Sequence, residues 1–114
     1  MIKKRRSSKD QDDSLVSGFG KPVEEIAREM VWAAEGHVWD TLELNVSLVD
    51  DGVFDFEFYI ISKQDKISVE TSDGMSLTAV DWFDSLKSSG EEIWSSFSLI
   101  VKKDLTFDIQ LKYD

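Results

Sequence analysis

From Trp94 to Asp114, apolar and polar residues alternate in two runs separated by Lys103-Asp104. That period of two leaves few folds open. Phe97, Leu99 and Val101 form one set and Phe107, Ile109 and Leu111 the other, and residues two apart on a strand point to the same face. If both sets face one core, paired positions sum to a constant. Val101 then opposes Phe107, Leu99 opposes Ile109 and Phe97 opposes Leu111, which leaves Lys103-Asp104-Leu105 as the loop of a β-hairpin. A loop of three residues places its last one in the left-handed region, where Gly is at ease and Leu is not. Leu105 is therefore expected to be strained.

The same reasoning applies upstream. Leu42, Leu44, Val46 and Leu48 alternate with Glu43, Asn45 and Ser47, and Phe54, Phe56, Phe58 and Ile60 alternate with Asp55, Glu57 and Tyr59. These are two amphipathic strands. A two-residue Asp51-Gly52 turn would set Leu48 opposite Asp55 and mix the faces. A three-residue Asp50-Asp51-Gly52 loop sets Leu48 opposite Phe54, Val46 opposite Phe56 and Leu44 opposite Phe58, with Gly52 left-handed, and is the expected connection. Ile67, Val69 and Thr71 make a shorter third strand after a Lys63-Gln64-Asp65 turn.

Two helices complete the pattern. The first opens at Lys21-Pro22-Val23, with Glu24 and Glu25 near its positive end, an apolar stripe of Val23, Ile26, Ala27, Met30, Val31 and Ala34, and Gly36 as C-cap. Trp32 falls off that stripe. For the second, Ser76 is the expected N-cap, Leu77, Val80, Phe83 and Leu86 the buried positions, and Ser88-Ser89-Gly90 the stop. The order α-β-β-β-α-β-β predicts a single α+β domain: an antiparallel sheet of about five strands with two helices packed mainly on one face.

A chain of 114 residues suits one domain. Residues 1–14 differ from the rest: Lys3, Lys4, Arg5, Arg6 and Lys9 stand with Asp10, Asp12 and Asp13, and no large apolar residue follows Ile2. They predict a disordered charged tail, with the domain occupying residues 15–114. Without the five basic and three acidic residues of that tail, eight basic and twenty acidic ones remain, a formal charge of −12 against −10 for the whole chain. A body so negative repels nucleic acid and anionic membranes and favours fast association with a basic partner. The basic run Lys3-Lys4-Arg5-Arg6 could bind nucleic acid or fold back on the body, but a short basic tail on an acidic domain more often does neither. Cysteine is absent, which removes disulfides, thiolate metal sites and thiol nucleophiles. No signal peptide or membrane span is visible, so a cytoplasmic location is expected.

Catalysis has little to work with. His37 is the one histidine, placed after Gly36 where it could cap the first helix. No Gly-x-Ser-x-Gly elbow or phosphate-cradling glycine loop occurs. Asp50-Asp51-Gly52 and Asp10-Gln11-Asp12-Asp13 lack the spaced ligands of a calcium loop. No cofactor or metal is implied, and Asp55 with Glu57 would serve a glycosidase only in a cleft. The expectation is that the protein is not an enzyme.

Docking is the better use of these carboxylates. The register above pairs Ser47 with Asp55, Asn45 with Glu57 and Glu43 with Tyr59 on the outward face, which is expected to carry three carboxylates and a phenol without a compensating cation. Ordinary solvent-facing residues would look the same one at a time. Asp81, Asp84, Glu91 and Glu92 form a second acidic strip near Trp82, which the expected stripe leaves on the flank as an exposed aromatic anchor unless the helix rotates to bury it. Trp94 is assigned to the core, and Trp39 to either.

The early amphipathic helix, the Phe-x-Phe-Tyr of Phe56, Phe58 and Tyr59, and the terminal Trp94, Ser95, Phe97, Leu99, Asp104, Phe107, Ile109, Tyr113 and Asp114 together resemble the YezG-like immunity or antitoxin family of bacteria, over residues 22 to 114. Leu105 takes the place of that pattern's usual turn glycine. The resemblance implies a cytoplasmic immunity protein that neutralises a cognate toxin, commonly a nuclease. Read from register and charge rather than from the resemblance, the candidate docking residues are Glu43, Asp55, Glu57, Tyr59, Asp81, Trp82, Asp84, Glu91 and Glu92. The alternative is an acidic adaptor or nucleic-acid mimic that binds a basic housekeeping protein.

Overall fold

A computed structural model describes residues 20–63 and 65–113. The tail expected over residues 1–14 and the expected domain start at residue 15 lie outside the described residues. The elements are α1 (Gly20–Ala33), β1 (Thr41–Asp50), β2 (Val53–Ser62), β3 (Asp65–Val69), α2 (Asp73–Ser89), β4 (Ser96–Lys102) and β5 (Phe107–Lys112). The five strands form one antiparallel sheet in the order β3-β2-β1-β4-β5. The α+β arrangement is the expected one.

Both predicted hairpin registers are present. Leu48 pairs with Phe54, Val46 with Phe56 and Leu44 with Phe58, and Val101 with Phe107, Leu99 with Ile109 and Phe97 with Leu111. The first turn differs from its expected form. Pairing continues to Asp50 and Val53, with a register shift between Leu48 and Asp50, so the turn closes over Asp51-Gly52 and Val49 is the extra residue of a bulge. The bulge restores the faces that a two-residue turn alone would mix. Gly52 is left-handed at φ +71. Likewise Asp65 pairs with Ser62, which shortens the next turn, and Thr71 lies beyond the end of β3.

In the second hairpin the Lys102 N–H donates to the Thr106 carbonyl and the Leu105 N–H to the Lys102 carbonyl, both at 2.8 Å. Leu105 is left-handed at φ +70, as its loop position requires. The Asp104 carboxylate accepts from the Thr106 hydroxyl at 2.6 Å and from its N–H at 3.0 Å, which fixes the turn.

β3 and β4 are not neighbours, so α2 must carry the chain back across one face of the sheet. Ser72, not Ser76, is its N-cap, accepting from the Met75 N–H at 3.2 Å. The helix buries Met75, Ala79, Trp82 and Phe83 and leaves Leu77 62% exposed. Positions 75, 79, 82, 83 and 86 keep to one side of a helix, whereas a strict three-residue spacing drifts by about 60° per step. At the other end the Gly90 N–H reaches the Lys87 carbonyl and the Glu91 N–H the Leu86 carbonyl, a Schellman closure on left-handed Gly90.

α1 buries Val23, Ile26, Ala27 and Met30, with Ala34 just beyond it, and the His37 N–H donates to the Ala34 carbonyl. Glu24 and Glu25 follow the first turn rather than occupying it. Core side chains of β1, β2 and β4 meet the two helices on one face, around Trp94, whose ring lies 4.9 Å from Phe97 and 5.3 Å from Phe83. Trp39 packs at the margin of this core. Each large apolar side chain removed from water there contributes about 1.5 to 3 kcal/mol.

Candidate protein-docking face

With both helices on one side, strand alternation sends the other residues of each strand to a helix-free face. The pairings line up Ser68, Tyr59, Glu43, Ile100 and Asp108 in one row across the sheet, and Glu57, Asn45, Ser98 and Gln110 in the next. Asp55 pairs with Ser47 one step further along. The sheet thus brings Glu43, Asp55, Glu57 and Tyr59 together on adjacent strands, as the register predicts.

Their surroundings differ from expectation in one respect: a cation is present. The Lys66 ammonium on β3 sits 3.8 Å from Glu43 Oε2 and 4.4 Å above the Tyr59 ring. Glu43 also accepts from Asn45 Nδ2 at 2.8 Å, and the Ser98 hydroxyl donates to Asn45 Oδ1 at 2.6 Å. This chain of contacts runs from β4 to β3 and holds Glu43 in place. Sequence reasoning missed Lys66, although its place beside Ile67 on a recognised strand put it on the outward parity. Asn45 and Ser98 gave no such signal, because their contact depends on β4 lying beside β1.

Asp55 and Glu57 remain exposed, and among the described residues no cation pairs with either. Side chains two apart on one strand stand about 6.6 Å apart along it. β2 therefore presents two solvated carboxylates on one face, on the stretch that pairs with β1 and runs beyond its ladder with β3.

The second acidic strip belongs to the other side of the molecule. Asp81 and Asp84 are exposed on α2, and Glu91 and Glu92 are exposed just past it. Trp82 is not the exposed anchor of this strip. It is 4% exposed, with its ring 5.4 Å from Trp94 and 5.5 Å from Phe97, because α2 turns the side that carries Met75, Ala79 and Phe83 to the core. The expectation of a binding residue there is overturned. Burial raises the Tyr113 phenol above its ordinary value, and the Glu92 carboxylate adds to the shift. The nine sequence-derived residues thus divide into two groups on opposite faces and one core residue.

A hollow of about 380 Å³ lies at the other end of β2, lined by Val38, Ile60, Ser62, Asp65, Lys66 and Ile67. It does not include Asp55 or Glu57. Among the described residues no group of three or more His, Asp or Glu is placed to hold a metal ion, and no helix is long and apolar enough to cross a membrane. Compared with protein families and with curated proteins, the chain matches none.

Proposed function

We propose that this protein is a cytoplasmic immunity-type inhibitor that binds a cognate bacterial toxin, a basic nuclease domain, and covers its substrate-binding surface without catalysing any reaction. The observation that carries the reading is the exposed pair Asp55 and Glu57 on the helix-free face, flanked by Tyr59 and Glu43. A nuclease holds phosphates with Lys and Arg, and carboxylates spaced along one strand face can form charge-assisted hydrogen bonds to those side chains in place of the phosphates. The acidic body adds long-range attraction to a basic partner, and Tyr59 offers an amphipathic anchor beside the charges. The likeness of the terminal hairpin to the YezG-like pattern supports the same reading.

The test is calorimetric titration, at low and moderate salt, against the toxin domain encoded beside this gene. Nanomolar binding that weakens with salt, abolishes nuclease activity and is lost in Asp55→Lys/Glu57→Lys supports the proposal. Tight binding indifferent to that double substitution would move the interface to another surface. Failure to bind the toxin would refute the immunity reading in favour of an acidic adaptor for another basic protein.

A further inference from the structure

β3 and β5 are the free edges of the sheet. β5 is the longer, six residues against five. The Thr106 and Lys112 carbonyls turn inward, accepting from the Lys102 N–H at 2.8 Å and the Ser95 N–H at 2.7 Å. By the alternation of an antiparallel ladder, Phe107, Ile109, Leu111 and Tyr113 direct their N–H and C=O groups outward. Among the described residues no strand pairs with that side.

The sequence of this edge is chemically palindromic. From Phe107 to Tyr113 it reads aromatic, acid, aliphatic, amide, aliphatic, base, aromatic, centred on Gln110. We propose that two copies of this chain pair antiparallel through β5 about a two-fold axis at Gln110, joining their sheets into one of ten strands.

In that register Ile109 and Leu111 oppose the partner's Leu111 and Ile109 through hydrogen-bonded pairs on the helix-bearing face. Asp108 and Lys112 oppose the partner's Lys112 and Asp108 on the other face. Phe107 and Tyr113, 37% and 45% exposed in the single copy, meet each other across the ends. Faces match, since pairing equal parities keeps helices with helices. Sliding the register by two residues either way loses both ion pairs, and centring on Asp108 or Lys112 sets like charges opposite each other. β3 lacks this symmetry: about Ile67, Asp65 would face Val69 and Lys66 would face Ser68. Two bodies of formal charge −12 repel in most orientations, so a contact with an ion pair on each side of its axis is the selective one, the Asp108 carboxylate that meets Lys102 Nζ at 3.0 Å within the chain being shared with the partner's Lys112. The edge is separate from Asp55 and Glu57, and this assembly does not rest on the function proposed above.

The test is sedimentation velocity of the full chain over a concentration series. The expected result is conversion of a 13.0 kDa monomer into a dimer. Lys112→Asp places like charges opposite each other twice and should weaken the dimer about tenfold, while Asp108→Lys/Lys112→Asp restores the opposition and the affinity. Ile109→Pro removes an outward N–H without touching the β4 ladder and should leave a folded monomer by circular dichroism. A monomer at every concentration overturns the proposal. So does a dimer that survives Ile109→Pro, or one whose loss in Lys112→Asp the charge swap does not rescue.

Discussion

Lys66 lies 4.4 Å above the ring of Tyr59 and shares its charge with Glu43, 3.8 Å away. It is the cation on this part of the helix-free face, and it blunts an otherwise acidic surface where a basic partner would dock. Lys66→Ala should tighten binding of a basic partner several-fold, most at low salt where charge is least screened. The cost to folding should stay below about 1 kcal/mol, because the pair is half-exposed. Calorimetry and urea melts on the same variant check both halves. Weaker binding would mean that the partner contacts Lys66 itself.

Gly52 and Leu105 each close a hairpin tip in the left-handed conformation, at φ +71 and φ +70. Only the glycine suits that conformation. Leu105 is 63% exposed, so its side chain gains little packing in return. Leu105→Gly should stabilise the domain by about 0.5 to 1 kcal/mol, the left-handed strain relieved less the added freedom of the unfolded chain. Gly52→Leu should destabilise it by about 1 to 2 kcal/mol. Thermal unfolding of the two variants should move the midpoint in opposite directions.

The strands were legible because their pattern is redundant. Every inward residue from Leu42 to Leu48 has an apolar partner at a fixed sum, so one wrong step would have exposed a whole face. Even the unforeseen bulge at Val49 leaves that sum unchanged over the paired stretch. α2 was less legible because Leu77, Val80, Phe83 and Leu86 compete with Met75, Ala79, Trp82 and Phe83 for the buried side. Their hydrophobicities do not decide between them. The decision lies in the aromatic cluster offered by Phe54, Trp94 and Phe97, which assembles only after α2 crosses the sheet. The docking face was half legible for the same reason: the Glu43–Tyr59 pairing is local, while the contacts of Lys66 and Ser98 come from strands whose neighbours no short-range pattern reveals.

The turn at Asp104 carries a pH dependence of known sign. The Thr106 hydroxyl, then the Thr106 N–H, hold this carboxyl below its ordinary 3.8, with Lys102 contributing through its charge. A carboxyl whose folded value is depressed adds stability above its unfolded value and loses it as pH falls through the folded one. The Asp104 resonance should therefore titrate below 3.8, and the amide shifts of Leu105 and Thr106 should follow it. In Thr106→Val the titration should move up toward 3.8. An unmoved titration would assign the effect to the backbone and Lys102 instead.

Trp82 and Leu77 decide between the two possible faces of α2. With Trp82 enclosed by Trp94 and Phe97 and Leu77 in solvent, Trp82→Ala should cost about 3 to 5 kcal/mol and Leu77→Ala less than about 0.5. The reverse order would restore the three-residue stripe and return Trp82 to the surface. A partner titration sharpens the distinction. Trp82→Phe keeps an aromatic in the core and should bind a basic partner with unchanged affinity while unfolding at a lower temperature. An exposed binding anchor would give the opposite result, with affinity lost and stability kept. Unfolding and binding measured on one sample of Trp82→Phe thus separate a residue that builds the core from one that meets a partner.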